Sequence, residues 1–462
     1  MASEPLAAVL QAAPRRFRPY PKYKATSVEG LGDIPAHWQV RRLKTVARVQ
    51  LSNVDKKSVE GDVPVRLCNY VDVYYNDHIT SAIEFMSATA TPEQRTRFSL
   101  RRGDVLITKD SESWTDIAVS AVVAEDLEDV VCGYHLAHIR PLEVLDGRFL
   151  ARAFSAVGPR DQFQIAANGV TRFGLSSDAI KDGVFAVPPL SEQLAIAAFL
   201  DRETAKIDTL VAKNKRVIEL LQEKRTALIT RGVTKGLDPS VPTKDSGVAW
   251  LGEIPEHWEV RRIAMAVQKI TNGYVGPTRD IFVNEGVRYL QSLHIKGGAI
   301  DFERRPYYVT ELWSRAHDKS VLREGDVLVV QTGDIGQVCA VPPEFVGSNC
   351  HALIIIQMKP HLGSGVFLSL LLQSDYGQNA LRWSQTGALH PHLECGHVRE
   401  IPITLPPPSE QDEIVRELDQ QTAEIGRLVA MISDGIDRLA EFRAALISGA
   451  VTGRIDVRED AA

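Results

Sequence analysis

Residues Leu31 to Arg42 read LGDIPAHWQVRR, and 220 positions later Leu251 to Arg262 read LGEIPEHWEVRR. LRRGDVL (Leu100 to Leu106) returns as LREGDVL (Leu322 to Leu328) at an offset of 222, and VPPLSEQ (Val187 to Gln193) as LPPPSEQ (Leu405 to Gln411) at 218. Three blocks in one order with nearly constant offsets mean that one domain plan is used twice. The period is far longer than the ~20–50 residues of a solenoid repeat. The chain must therefore build the same core twice, and its two halves suit a target that itself has two halves.

Two further segments repeat at the same offset. From Ser191 to about Arg231 there is no proline or glycine, and apolar residues recur on a heptad. One row is Leu200, Ile207, Leu221 and Leu228; the other is Ile196, Leu210 and Val217. In the second copy the rows are Leu418, Ile425, Ile432, Leu439 and Leu446, and Ile414, Leu428 and Phe442. Ser191 and Ser409 stand as N-caps after proline runs, with Asp412 at a capping-box position. Stripes this similar pack on each other as an antiparallel coiled coil, each helix spanning roughly 60 Å at ~1.5 Å per residue.

Between the helices, short β-rich runs such as Val63–Tyr75, Gly103–Thr108, Val287–Ile295 and Ala352–Met358 alternate with turn formers. The expected fold class is α+β: two tandem mixed domains separated by two long pairing helices, with pseudo-two-fold character. The expected boundaries are an N-terminal extension over 1–26, a first domain over 27–190 and a helix over 191–232. A linker over 233–246, a second domain over 247–408, a second helix over 409–452 and a tail over 453–462 complete the chain.

Net charge is −6 for the 462 residues, which at first argues against nucleic acid. Its distribution reverses that reading. Residues 1–190 carry 23 Lys/Arg and 23 Asp/Glu, 191–231 carry 8 and 6, 232–408 carry 16 and 18, and 409–462 carry 6 and 12. The acidic excess thus belongs to the last segment. The two domains are near neutral and could hold DNA through local patches, helped by a more basic partner. The net +2 and −6 of the helical segments favour their pairing with each other. No apolar run reaches the ~18 residues of a membrane span. The five cysteines form no C-x-x-C, so a reduced, cytoplasmic setting is expected.

The IPxHWxVRR block, the GDVL strand, the PPxSEQ helix start and the helix ending EKRTALITRGVTKGL together resemble the specificity subunit of Type I restriction–modification systems, over residues 27–452. The resemblance implies two target-recognition domains, each reading one half of a split, asymmetric sequence in double-stranded DNA. It implies partners too: two methyltransferase subunits that methylate adenine with S-adenosylmethionine and, where unmodified DNA is cut, restriction subunits that use ATP and Mg. The chain itself would be non-catalytic and bind no cofactor. The residues agree: the proline pairs VPPL, VPPE and LPPPS are not the (N/D)-PP-(Y/F) turn of an amino-methyltransferase, and there is no Walker A motif. The competing expectation is a structural protein whose paired domains bind other proteins across a coiled coil.

Positions that differ between the copies are the expected base readers, because scaffold should match and readers of two half-sites should not. After the GDVL strand these are Lys109, Ser111 and Trp114 in the first copy and Gln331, Thr332 and Gln337 in the second. A second region holds Arg66, Asn69 and Tyr70 opposite Arg288 and Gln291. A third holds Asn168, Thr171 and Arg172 opposite Thr386 and His390. Lys56, Lys57, Arg279 and Lys296 are candidate phosphate contacts, and the basic arm from Arg15 to Lys24 reads as a flexible extension. His390, His392, Cys395 and His397 resemble metal ligands. The matching positions Arg172, Gly174, Ser177 and Ala179 do not, so a copy-specific loop is expected and no metal. The expected half-sites lie about one DNA turn, ~34–36 Å, apart.

Overall fold

The computed structural model describes residues 17–28, 30–387 and 391–458. The chain divides into two compact units, one of residues 1–213 with 434–462 and the other of residues 214–433. The cut falls inside both long helices, so each unit contains the start of one helix and the end of the other.

In the first unit, a five-stranded sheet runs in the order Ala47–Leu51, Leu136–Pro141, Val105–Thr108, Ser120–Val123, His78–Ile79. A four-stranded sheet runs Met86–Ala90, Val63–Cys68, Leu127–Cys132, Ser99–Leu100. The second unit repeats the plan with Val267–Asn272, Leu353–Met358, Val327–Val330 and Val338–Ala340, and with Phe282–Val283, Tyr308–Val309, Val287–Leu290 and Asn349–Cys350. The GDVL strands are central and buried at every position, Val105–Thr108 in one unit and Val327–Val330 in the other. Continuous apolar runs are what a strand covered on both faces requires. The fold is α+β, with the same parts built twice.

The long helices run Leu190–Lys235 and Pro408–Val451. In each unit they pack antiparallel: Ile196, Phe199, Leu200 and Ile207 share a core with Leu446, Ile447, Ala450 and Val451, and Ile229 and Val233 share one with Ile414 and Leu418. Gly232 lets the helices approach, since a Cβ there would sit 3.0 Å from Leu418. The seam differs from the expected one in its second row. Leu210, Val217 and Leu428 are 46%, 41% and 42% exposed, whereas Thr204, Val211, Ile218, Val429 and Ile436 are buried or half-buried. A heptad row can be completed at +3 or at +4, and the partner takes the +4 side here; the apolar pattern alone permits both. The ion pair across the helices, Arg443 with Asp208 at 3.0 Å, also runs against the segment charges, its cation lying on the acidic segment.

Ser191 and Ser409 are not N-caps. Gln193 and Gln411 donate their N–H to the carbonyls of Pro189 and Pro407, both at 3.0 Å, so the prolines cap and the serines lie in the first turn. Proline loses nothing there, because the cap position needs a carbonyl and no N–H. Asp412 accordingly has no capping-box role.

The N-terminal arm is not a loose extension from Phe17 onward. Tyr20 is buried, Phe17 packs edge-on to Phe199 at 5.6 Å, and Tyr23–Lys24 pairs with Ile34–Pro35. The segment after the second helix packs there too: Ile455 and Val457 are buried, and Asp456 N donates to Arg18 O at 2.8 Å. In the second unit, Thr243–Asp245 of the expected linker pairs with Glu253–Pro255 in the same way. The pairing of Arg18 with Asp456, more than 400 residues apart, leaves no local pattern in the sequence.

Candidate nucleic-acid interface

The repeated motifs turn out to be joints. Glu192, one turn into the first long helix, accepts from Trp38 Nε1 at 3.0 Å and meets His37 Nε2 at 2.8 Å. Glu410 meets Trp258 Nε1 and His257 Nε2 at 3.0 and 2.7 Å. Gln193 accepts from Asp146 N and donates to the Val144 and Pro188 carbonyls; Gln411 accepts from Ser364 N and donates to those of Leu362 and Pro406. The HW and SEQ blocks therefore bolt each domain to a helix start, and Trp38 and Trp258 are packing residues. The Asp of GDVL closes its own turn, Asp104 accepting from Arg101 N and Asp326 from Arg323 N, both at 2.9 Å.

On this frame the first unit gathers parts of all three candidate regions. Asp110–Ser111, just past the GDVL strand, pairs with Phe173–Gly174, the end of the third region. Tyr70 of the second region lies 3.3 Å from Ser111 and stacks on Tyr74 at 5.5 Å. Asp110 meets Lys109 at 2.5 Å and His135 at 3.3 Å, and Arg172 Nη2 lies 3.1 Å from His135 Nδ1. Trp114, Tyr75 and Tyr134 are exposed around this cluster, and Thr171 and Arg172 occupy its exposed loop. A surface of cation, carboxylate, hydroxyls and exposed aromatic rings can hydrogen-bond base edges and cover sugar or base surface.

Other expected readers are placed elsewhere by their partners. Arg66 is committed to Asp129 through two bonds of 2.6 and 2.7 Å and lies over Phe85. The pair holds Asp129 below the usual carboxylate range. Asn69 caps the helix Tyr70–Tyr74. Lys109 is 7% exposed, its ammonium over Tyr134 at 4.6 Å. Ser111 is buried, and Asn168 ties off its loop by pairing with Gly174 and donating to Ala166 O at 3.0 Å. These residues build the loops that carry others.

In the second unit, Leu393 N donates to Gln331 O at 3.0 Å as Leu175 N does to Lys109 O at 2.8 Å, so Gln331 and Lys109 are equivalent. Gln331 Oε1 is buried with no hydrogen-bond partner among the described residues. Thr332 is exposed, and Gln337 Oε1 accepts from Gly297 N at 3.1 Å. Thr386 lies 3.3 Å from His392, across the hairpin Gln385–Thr386 with His392–Leu393. Arg288 donates to Glu344 O and packs between Phe302 and Phe345, and Gln291 begins the 3₁₀ turn Ser292–His294. His390 lies outside the described residues. His392 pairs with Glu394 at 3.1 Å and Cys395 Sγ donates to Asn272 Oδ1 at 3.0 Å. Among the described residues, no group of three or more His, Cys, Asp or Glu side chains is placed to hold a metal ion.

Residues 269–430 match the family model described as the Type I restriction modification DNA specificity domain. The specificity subunit of the Type I restriction enzyme EcoBI from Escherichia coli is 25% identical over 68% of this chain and 68% of its own length. That of MjaIX from Methanocaldococcus jannaschii is 22% identical over 96% of this chain and 99% of its own. Over most of its length the chain is similar to the specificity subunits of Type I restriction enzymes. The fold is similar to that of a chain solved in work on assembly and conformational transition of the type I R-M system, with a TM-score of 0.61 at 17% identity, covering 90% of this chain and 98% of that one.

The cluster in the first unit also contains residues absent from the expected set: Asp110, Tyr74, Tyr134 and above all His135. A signal for His135 was present. CGYHL (Cys132 to Leu136) is one residue longer than CHAL (Cys350 to Leu353), and a length difference between copies marks a loop freed from the scaffold.

Proposed function

We propose that each unit reads one half of a split, asymmetric DNA sequence and directs adenine methylation there by methyltransferase subunits, the chain itself catalysing no step. The observation that carries this is the division of labour between matched and unmatched positions. The matched ones are joints in both units, and the unmatched ones line the loops around the GDVL strand. Binding two halves of one ligand needs that pattern, whereas two copies of one protein-binding domain would keep their binding loops alike.

The helices supply a surface for the methyltransferase subunits: Val217 and Leu220 on the first and Leu428 and Met431 on the second lie off the seam and are exposed. Two such subunits, and restriction subunits where the system cuts DNA, complete the proposed assembly, with S-adenosylmethionine, ATP and Mg held by the partners. Among the described residues no helix is long and apolar enough to cross a membrane, and a cytoplasmic site of action is proposed. The test is adenine methylation mapped genome-wide in cells making the methyltransferase subunits with and without this chain. A split motif present only with the chain is expected. Its absence from an assembled complex would return the protein-binding reading to first place.

A further inference from the structure

We propose that Arg172 reads a guanine in the half-site taken by the first unit and that His135 is its positioning residue; this assignment rests on the DNA-reading role above. The arginines of the candidate regions are sorted by what they already hold. Arg66 gives its fork to Asp129, and Arg288 is spent on Glu344 O between two phenylalanine rings. Arg172 has no carboxylate partner among the described residues. Its Nη2 rests against the His135 ring, 3.1 Å from Nδ1 and 3.4 Å from Nε2, and Nε and Nη1 have no acceptor among the described residues. It stands on an exposed loop with Val170 and Thr171, anchored by the pairing of Phe173–Gly174 with Asp110–Ser111.

The second observation is that His135 is extra. The two units run in step on either side of it. Gly133 N to Cys68 O matches His351 N to Leu290 O, and Tyr134 N to Val54 O matches Ala352 N to Tyr274 O. Ser52 N to Leu136 O then matches Gly273 N to Leu353 O. Between Tyr134 and Leu136 the first unit has one residue that the second lacks; its carbonyl accepts from Lys109 N at 3.0 Å, and its side chain is an addition to the shared plan. That residue puts its ring between Asp110, 3.3 Å away, and Arg172. With its Nδ1 proton toward Asp110, the ring is fixed and the guanidinium packs against it, with Lys109 sharing the carboxylate at 2.5 Å.

The chemistry names the base. A guanidinium edge offers two parallel donors, and in the major groove guanine alone presents two adjacent acceptors, O6 and N7; adenine pairs an acceptor with a donor. A phosphate would also take the fork, and the experiment separates the two. The full chain, carried as wild type, Arg172→Lys, Arg172→Ala or His135→Ala, is assembled with the methyltransferase subunits. Methylated motifs are mapped genome-wide, and binding is measured on duplexes that each change one base pair of the wild-type motif.

Both Arg172 variants should relax one guanine position in one half-site, discrimination there falling about tenfold to a hundredfold, with the other half-site unchanged. His135→Ala should relax the same position by less. If Arg172→Lys keeps full discrimination while Arg172→Ala weakens binding evenly over all sequences and flattens its salt dependence, Arg172 is a phosphate contact and the assignment fails. An unchanged motif in both Arg172 variants overturns it too, and wild-type discrimination in His135→Ala removes the positioning role. No chain-dependent motif in the wild type would bring down the DNA-reading role first, and this assignment with it.

Discussion

Asp104 and Asp326 close the same turn at the same point of the two units, yet they sit in opposite electrostatic surroundings. Burial pushes the Asp104 carboxyl up, but bonds from Arg140 at 2.7 Å and His138 at 2.8 Å outweigh it and leave it below the usual range. Burial likewise raises Asp326, and there it prevails. The strand residue facing Asp326 is the neutral Gln357, at 3.1 Å, where the first unit has Arg140. One backbone joint is therefore an ion pair in one unit and an amide-bonded carboxyl in the other. Duplication fixed the turn, and the neighbours were free to diverge.

The sharpest test of this contrast is the pair Asp104→Asn and Asp326→Asn. The first leaves a half-buried guanidinium without its anion and should destabilise the chain by about 2–3 kcal/mol; the second should change stability by less than about 1 kcal/mol. Thermal unfolding at neutral pH reads both, and equal losses would break the comparison. The pH dependence should differ in sign. The depressed Asp104 contributes stability that is complete above the ordinary carboxylate pKa and is lost as pH falls through its folded value. The raised Asp326 contributes stability that is complete below the ordinary value and is lost as pH rises through its folded value. Acid titration of unfolding should thus flatten in Asp104→Asn and steepen in Asp326→Asn.

Where the units share a steric constraint, the outcome should be equal. A Cβ on Gly147 would lie 2.0 Å from Gly103 O, and one on Gly365 1.8 Å from Gly325 O. Gly147→Ala and Gly365→Ala should each cost about 2 kcal/mol by the same unfolding assay. A large difference would mean that the two turns are not the same joint.

The smallest expected effect concerns Lys109 and Gln331. Lys109→Leu removes a paired cation and should destabilise by about 1 kcal/mol, while Gln331→Leu removes a buried, unpaired amide oxygen and should stabilise by about as much. If Gln331 keeps that orphan for a base, Gln331→Leu should also blur the half-site that Arg172 variants leave untouched. Methylation mapping of the two variants side by side checks this.

Much of the plan was legible in the sequence because duplication supplies its own control. The repeated blocks marked the shared scaffold, the heptad period marked the helices, and the β-rich runs marked strands, while their role as joints and central strands came from the fold. The unmatched positions pointed to the loops of the candidate interface. What the sequence could not decide were choices between equally patterned alternatives. Leu210, Val217 and Leu428 sit on a valid apolar row, and only the position of the partner helix puts them outside the seam. Arg66, Arg288 and Arg172 are the same residue type, and all three fall in the candidate regions. Asp129, Glu344 O and the ring of His135, all distant in sequence, decide which of them still has donors to give. The arm from Phe17 to Lys24 and the residues around Asp456 show no helical or strand period by themselves, and they are ordered by each other. Local period and composition fix what an element is; which of its faces is spent inside the protein depends on contacts that only the folded chain makes.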